Sequence, residues 1–332
     1  MKNILTNKTT RTNALTYLIV IVAFIVMQSM GSMGMLKSSV QGYLVPVCCY
    51  IVLAVSLNLL VGVCGELSLG HAGFMGIGAF TGIVIAALLK GKVESDVLRL
   101  RGDYLAIVTL AFGEILKNLV GNMYIGTDAK GFHFAISASK MDLLEGGTYI
   151  IAGPKGATGV EKLSTFPMGF ALILLTLFVV LNLVNSKEGR AIKAIKENRI
   201  AAESVGINVT AFRMKAFVVS AFLAGMAGAL FGLNFSSINA IKFNFNTSIN
   251  ILVFVVLGGM GNILGSVISA TVLYVLPEAM RSLEDYRMLM YAIVLIVVML
   301  CTWSPIVKEK IDVVSLKFKK LLRKNKKGGQ KA

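Results

Sequence analysis

The side chains that could do chemistry in this sequence fall into three short clusters. Glu66 and His71 flank a glycine-containing stretch, Glu114 and Lys117 stand three residues apart, and residues 186–213 mix Lys, Arg and Glu. An enzyme would need a nucleophile beside a base, a pair of working carboxylates or a set of metal ligands. The chain has two histidines and no Cys/His spacing of the zinc-binding kind. We therefore predict no catalytic residue, no metal site and no bound cofactor, so the chain is not expected to be an enzyme.

The elements that carry these clusters are apolar. The chain is 56% hydrophobic and 15% charged, with a mean hydropathy of +0.76. About 20 apolar residues cross the ~30 Å hydrocarbon core as a helix. Seven stretches without Asp, Glu, Lys or Arg reach or approach that length: 12–36, 38–65, 67–89, 163–186, 216–241, 243–277 and 288–307. The pattern predicts an all-α, polytopic transmembrane helix bundle of about 8–10 spans.

The expected spans include two interrupted ones. They are 14–36, 42–62, 67–89, 104–122, 166–185, 214–236, a pair within 248–280, and 286–303. The glycines at 258–261 divide 248–280 into two short helices, and five glycines make 67–89 a broken or re-entrant segment. Because irregular backbone at membrane depth must be buried in protein or line a wet cavity, we place a pathway near 67–89.

The net charge of +16 is concentrated in 1–13, 186–215 and 307–332. Excess Lys and Arg beside spans marks the cytoplasmic side and favours contact with anionic lipid, whereas a nucleic-acid partner is not expected. We therefore predict a cytoplasmic N-terminus at 1–13, a transmembrane domain at 14–303 and a basic cytoplasmic tail at 304–332. Five spans before a cytoplasmic loop at 186–213 conflict with a cytoplasmic N-terminus. Either one early segment, most readily 67–89, is broken, re-entrant or wrongly assigned as a span, or the N-terminus lies outside.

The 186–213 loop is predicted to contain an amphipathic helix. Ile192, Ile195, Ala202 and Val205 recur on one face, Lys193 and Lys196 lie off that face, and Gly206 is placed to end the helix. Two interpretations remain open from the residues alone. The helix either couples the membrane domain to a cytoplasmic partner or rests on anionic lipid.

Four ordered stretches resemble one family. They are NLLVGVCGELSLGHAGF from 58, RLRGDYLAIVTLAFGEI from 99, GRAIKAIKENRIAAESVGINV from 189, and GGMGNILG from 258. Together they resemble the branched-chain amino-acid (Liv-type) permease family, specifically its longer, LivM-like type. The resemblance runs from about residue 56 to residue 277, in order and at fitting intervals. The first 40 residues and the basic tail add nothing to it.

The resemblance implies a subunit of an ATP-driven (ABC) importer in the bacterial plasma (inner) membrane. Its partners would be a second related permease, two cytoplasmic ATPases and an extracytoplasmic substrate-binding protein. The sequence has no phosphate-binding GxxxxGK[ST] loop, so ATP would be used by the partner subunits. The family's ATPase-coupling contacts are carried over to the following residues: Arg190, Ile195, Ala201, Ala202, Glu203 and Gly206.

The expected translocation pathway involves Ser68, Gly70, His71, Gly73 and Glu114. Ionisable groups within a bilayer are expensive and face protein or water. His71 either lines the passage or bonds a neighbouring group and fixes a helix break, and we favour the second role. Glu114 either pairs with Lys117 inside the membrane or lies near an interface.

Two other transport functions fit parts of the pattern. A permease of the same broad kind for sugars, nucleosides or urea-type amides would share the fold and the coupling loop. An ion-coupled secondary transporter would need midplane carboxylates and often paired inverted repeats, and Glu114 is the single candidate carboxylate. The family resemblance favours branched-chain amino acids.

Overall fold

The computed structural model describes residues 8–36, 38–88, 103–128, 131–135, 147–160 and 162–279, and isolated positions between 289 and 296. Contacts divide the chain into two compact units, Met1–Val275 and Leu276–Ala332. All described strands and helices belong to the first, apart from the last turn of the final helix and the isolated positions. The predicted span 286–303 and tail 304–332 thus lie almost wholly outside the described residues.

The described chain is a bundle of apolar helices. Their bounds are α1 Lys8–Ser32, α2 Ser38–Asn58, α3 His71–Leu88, α4 Asp103–Gly121, α5 Phe166–Asn185, α6 Lys187–Glu197, α7 Arg199–Ser204, α8 Val209–Gly232, α9 Phe245–Gly258 and α10 Ile263–Ala279. α2 continues without interruption into a π-helix, Leu59–Cys64. Four of these helices are long and apolar enough to cross a membrane: Thr12–Ser32, Val40–Cys64, Phe166–Asn185 and Val209–Gly232. The chain is a multi-pass membrane protein of the predicted fold class.

Of the two predicted interruptions, the one within 258–261 is present, whereas 67–89 is interrupted only at its start and is an unbroken helix from His71 to Leu88. Residues 259–262 form a turn between the short helices α9 and α10. Residues 65–70 are not helical, so α3 begins only at His71, deep in the bundle.

α3 and α4 run in the same direction. A Cβ built on Gly70 would lie 2.0 Å from the Thr109 carbonyl oxygen, and one on Gly73 would lie 2.6 Å from the Gly113 Cα. Residues later in α3 therefore meet residues later in α4.

α8 fixes the directions of the remaining helices. Ser220 bonds the Ser56 carbonyl and Phe231 contacts the Tyr50 ring, so α2 runs opposite to α8. α3 runs along α8 in the same direction, with small residues that let the two backbones touch. A Cβ on Gly78 would lie 1.8 Å from a carbonyl oxygen of α8. α3, α4 and α8 thus run in one direction, and α2 runs in the opposite direction.

A five-stranded antiparallel sheet was not predicted. Its strands are β1 Tyr124–Asp128, β2 Gly131–Ala135, β3 Thr148–Ala152, β4 Ala157–Thr158 and β5 Ser237–Ile238, in the order β2-β1-β3-β4-β5. α5 and α8 each connect this sheet to the segment holding α6 and α7. Each of these two helices is ~30–36 Å long at 1.5 Å per residue, so sheet and segment lie at opposite ends of the bundle.

Candidate functional site

Residues 186–208, the α6–α7 hairpin, form a compact unit between α5 and α8. Ser186, Asn198 and Asn208 each accept a hydrogen bond from the backbone N–H three residues later, and so cap α6, α7 and α8 in turn. Ser and Asn at these positions satisfy N–H groups that a helix cannot bond internally. The sequence therefore specifies two short helices joined at a sharp corner.

One face of the hairpin packs against the bundle. Ile192, Ile195 and Ala202 are buried, as the predicted stripe required. Val205, also assigned to that stripe, is 74% exposed, and this part of the prediction is wrong. The cause is the end of α7 at Ser204: Val205 is the non-helical residue that follows (φ −93°, ψ 15°), so the helical spacing that buries Ala202 does not extend to it.

The opposite face is free of the bundle. Arg190, Ala201, Glu203 and Gly206 are exposed, and Ile200 is 80% exposed. Of the six predicted coupling residues, four thus lie where a partner could reach them. The other two, the buried Ile195 and Ala202, hold the hairpin in place.

Within the described chain, two side chains of α6 make polar contacts with residues far away in the sequence. Glu188 forms an ion pair with Lys215 of α8. The Lys196 ammonium donates a hydrogen bond of 2.7 Å to the carbonyl oxygen of Gly62, within the π-helix. Sequence reasoning missed both, because each joins residues far apart in the chain.

A buried ion pair lies beside the hairpin. The Glu66 Oε1 is 2.7 Å from Nη1 of Arg213, with side-chain exposures of 5% and 22%. Glu66 was noted in the sequence as a residue at a span boundary, but its partner was not identified. The available signal was that Arg213 is one of the last charged residues before the apolar stretch 216–241.

The interior segment 65–73 contains the predicted pathway residues. His71 Nε2 lies 2.9 Å from the Ser56 hydroxyl, which itself donates to the Leu53 carbonyl at 3.0 Å. Because that hydroxyl has a single proton, Nε2 must be the donor to it, which leaves Nδ1 as an acceptor. Among the described residues, neither His71 Nδ1 nor the buried Ser68 hydroxyl has a hydrogen-bond partner.

Gly70 and Gly73 allow α4 to approach this segment closely, as described above. Ser248 of α9 completes the enclosure by accepting a hydrogen bond of 3.0 Å from the Ala72 N–H. Glu114 is 34% exposed and pairs with Lys117 on α4; in the described part of the chain it bonds neither His71 nor Ser68. The structure therefore groups four of the five predicted pathway residues and leaves Glu114 apart.

The described residues contain no group of three His, Cys, Asp or Glu side chains that could hold a metal ion. The His133 and Asp128 side chains, 3.1 Å apart, form a pair between β2 and β1.

The chain matches the sequence profile of the family described as branched-chain amino acid transport system / permease component, over residues 83–301. The chain belongs to this permease family. It is 35% identical over 287 residues to the high-affinity branched-chain amino acid transport system permease protein LivM of Salmonella typhimurium, and 34% identical over 289 residues to LivM of Escherichia coli. Each alignment covers 77% of this chain and 66% of the relative. The chain thus spans just under two thirds of the length of these LivM proteins.

A second permease type of the family is also similar. The LivH permease protein of Escherichia coli is 22% identical over 294 residues, which covers 80% of this chain and 93% of LivH. No solved structure matches the chain. The family's permease role agrees with the bundle of apolar helices described here.

Proposed function

We propose that this chain is the membrane-spanning permease subunit of an ATP-driven importer of branched-chain amino acids. An extracytoplasmic binding protein would deliver the substrate, and two separate ATPase subunits would hydrolyse ATP at the cytoplasmic face of the bacterial inner membrane. A second permease subunit would complete the pathway, which is supported by the existence of LivM and LivH as two related permease proteins.

The observation that carries the proposal is the construction of the α6–α7 hairpin. Its caps fix two short helices, one face packs on the bundle, and the other presents Ile200 and Ala201 to the surroundings. A partner that closes on this face would move α5 and α8 directly, because the hairpin joins them. The basic excess of 186–215 supports a cytoplasmic position, and the C-terminus would lie on the same side.

The interior segment 65–73 supports the assignment of a pathway. Its backbone is irregular inside the helix bundle, and it carries two buried polar atoms, on Ser68 and His71, that are unpartnered among the described residues. Irregular backbone within a membrane is tolerated where it is enclosed by protein or lines a cavity. These atoms could bond the polar end of an amino acid as it passes.

The test is assembly with partner ATPases and the second permease, followed by uptake in vesicles. Ala201→Trp places a large side chain on the exposed face and should abolish co-purification of the ATPases while leaving the protein inserted. Thr158→Trp is the matched control, because Thr158 is exposed on the sheet at the opposite end. Normal ATPase binding by Ala201→Trp would contradict the coupling role.

The substrate is tested in the same vesicles, loaded with ATP and supplied with the binding protein. Labelled leucine should accumulate, and unlabelled isoleucine and valine should compete with it. Accumulation of ribose, a nucleoside or urea in place of leucine would favour the related permeases. Uptake that follows an ion gradient and ignores ATP would favour a secondary transporter.

A further inference from the structure

The Lys196 side chain of α6 forms a hydrogen bond with the π-helix that follows α2. Its ammonium donates to the Gly62 carbonyl at 2.7 Å, and its stem lies over Gly65, where a Cβ would approach the Lys196 Cγ to 2.9 Å. Gly65 also has φ +78°, a conformation that favours glycine. The close lysine stem and the positive φ therefore both favour glycine at this position.

The bonded carbonyl belongs to a helix end. The last four carbonyls of a helix have no internal partner, and a cation is favourable there. The π-helix ends at Cys64, so Gly62 is among those residues. Lys196 therefore caps the end of α2 and its π-helix from the hairpin. Single π-helical turns are frequent at functional positions, where they leave the helix easier to deform.

The capped residue also holds the turn between α9 and α10. A Cβ on Gly62 would lie 2.2 Å from the Gly261 nitrogen and 1.8 Å from the Asn58 Oδ1. The Asn58 side chain accepts from the Gly261 N–H at 2.7 Å and donates to the Ser266 hydroxyl at 2.8 Å. A displacement of the π-helix thus reaches α9 and α10 through hydrogen bonds that are buried or nearly so.

We infer that Lys196 is a positioning residue that transmits movement of the α6–α7 hairpin to the π-helix and, through Asn58, to the turn at 259–262. The inference rests on the proposed function, because a partner ATPase must move the hairpin. The backbone links the hairpin to α5 and α8 alone. Lys196 extends that link to α2 and, through Asn58, to the turn at 259–262 and α10. α2 and α9 in turn bond the interior segment through Ser56 and Ser248.

The test uses the full assembly with three variants of α6. Lys196→Met keeps the stem and removes the ammonium, and Lys196→Arg restores a donor. Lys193→Met is the matched control, because Lys193 lies one turn earlier on α6 and donates no hydrogen bond within the described chain. ATPase co-purification, ATP hydrolysis and leucine uptake are measured for each.

Lys196→Met should bind the ATPases and hydrolyse ATP normally, but its leucine uptake per ATP should fall about tenfold, the effect of losing one hydrogen bond to a charged group. Lys196→Arg should recover most of that loss, and Lys193→Met should resemble the unmodified protein. Unchanged uptake per ATP in Lys196→Met would overturn the inference, and so would lost ATPase binding, since Lys196 would then act at the partner surface.

A second measurement does not depend on the ATPase. Hydrogen exchange of the amides at 259–262 should accelerate about tenfold in Lys196→Met, since the bonded network loses its anchor. Unchanged exchange there would overturn the inference. The two proposals can fail separately. If Ala201→Trp binds the ATPases normally, the proposed coupling function fails. If exchange at 259–262 nevertheless accelerates in Lys196→Met, the link from Lys196 to the turn at 259–262 stands.

Discussion

The α6–α7 hairpin and the interior segment 65–73 both interrupt apolar helices, but their polar groups are satisfied in different ways. In the hairpin, Ser186 and Asn198 cap their own helices, so much of the bonding is local. In the interior segment, His71 bonds Ser56 of α2 and Ala72 bonds Ser248 of α9. The conformation of the hairpin thus depends largely on local hydrogen bonds, whereas that of the interior segment depends on hydrogen bonds to the surrounding helices.

This difference separates two kinds of functional residue. An exposed hairpin residue such as Ala201 can change without disturbing the bundle, so its substitution reports on a partner. A buried segment residue such as Gly70 contacts another backbone, so its substitution first reports on folding. Matched pairs of substitutions, one in each region, can test this distinction by stability alone.

The largest contrast is expected between two arginine ion pairs. Arg213→Leu leaves the largely buried Glu66 carboxylate without its cation, and should lower the free energy of unfolding by about 3 kcal/mol. Arg199→Leu removes an exposed pair with Glu203 in the hairpin, worth only about 0.5 kcal/mol. Thermal unfolding of both purified variants in the same detergent measures the difference.

A double variant sharpens this contrast. Glu66→Gln combined with Arg213→Leu should recover part of the lost stability, because no uncompensated charge then remains buried. Equal losses from Arg213→Leu and Arg199→Leu would show that water reaches both pairs equally, and the proposed distinction between the regions would fail.

The next contrast uses two glycines. Gly70→Ala would place a Cβ 2.0 Å from the Thr109 carbonyl oxygen, so α4 must shift, at a cost of about 2 kcal/mol. Gly206→Ala has free space around the new Cβ but a φ of +83°, so it should cost about 1 kcal/mol. Yield and unfolding temperature in detergent compare them. A Gly70→Ala protein as stable as Gly206→Ala would mean that α4 does not pack here as described.

Local patterns in the sequence predicted the apolar helices that the structure describes, the break at 259–262 and the buried face of Ile192, Ile195 and Ala202. Hydrophobicity and helical spacing are properties of neighbouring residues, so a single chain displays them. Val205 was misplaced because α7 ends at Ser204, so the helical spacing of the stripe does not reach it. The hydrophobic period alone does not show at which residue a helix ends.

Long-range pairings could not be predicted from the sequence. Glu66 meets Arg213, and α3 runs parallel to α4, through contacts between segments that no local pattern relates. The sheet was missed for the same reason. β4 and β5 have two residues each and depend on partners at a distance, so they have no periodicity of their own.

The smallest effect concerns the corner of the hairpin. Asn198→Ala removes the cap of α7 and should cost about 1 kcal/mol. Since Ala favours helix, α6 and α7 would then tend to join into one helix, which would straighten the corner. We expect amide exchange to accelerate across 199–204 while the unfolding temperature of the bundle hardly changes. Asn244→Ala, which removes the equivalent cap of α9 beyond the hairpin, is the matched control and should leave 199–204 protected. If Asn198→Ala also left 199–204 protected, packing of Ala202 and not the cap would define the corner, and the hairpin would depend on the bundle as much as the interior segment does.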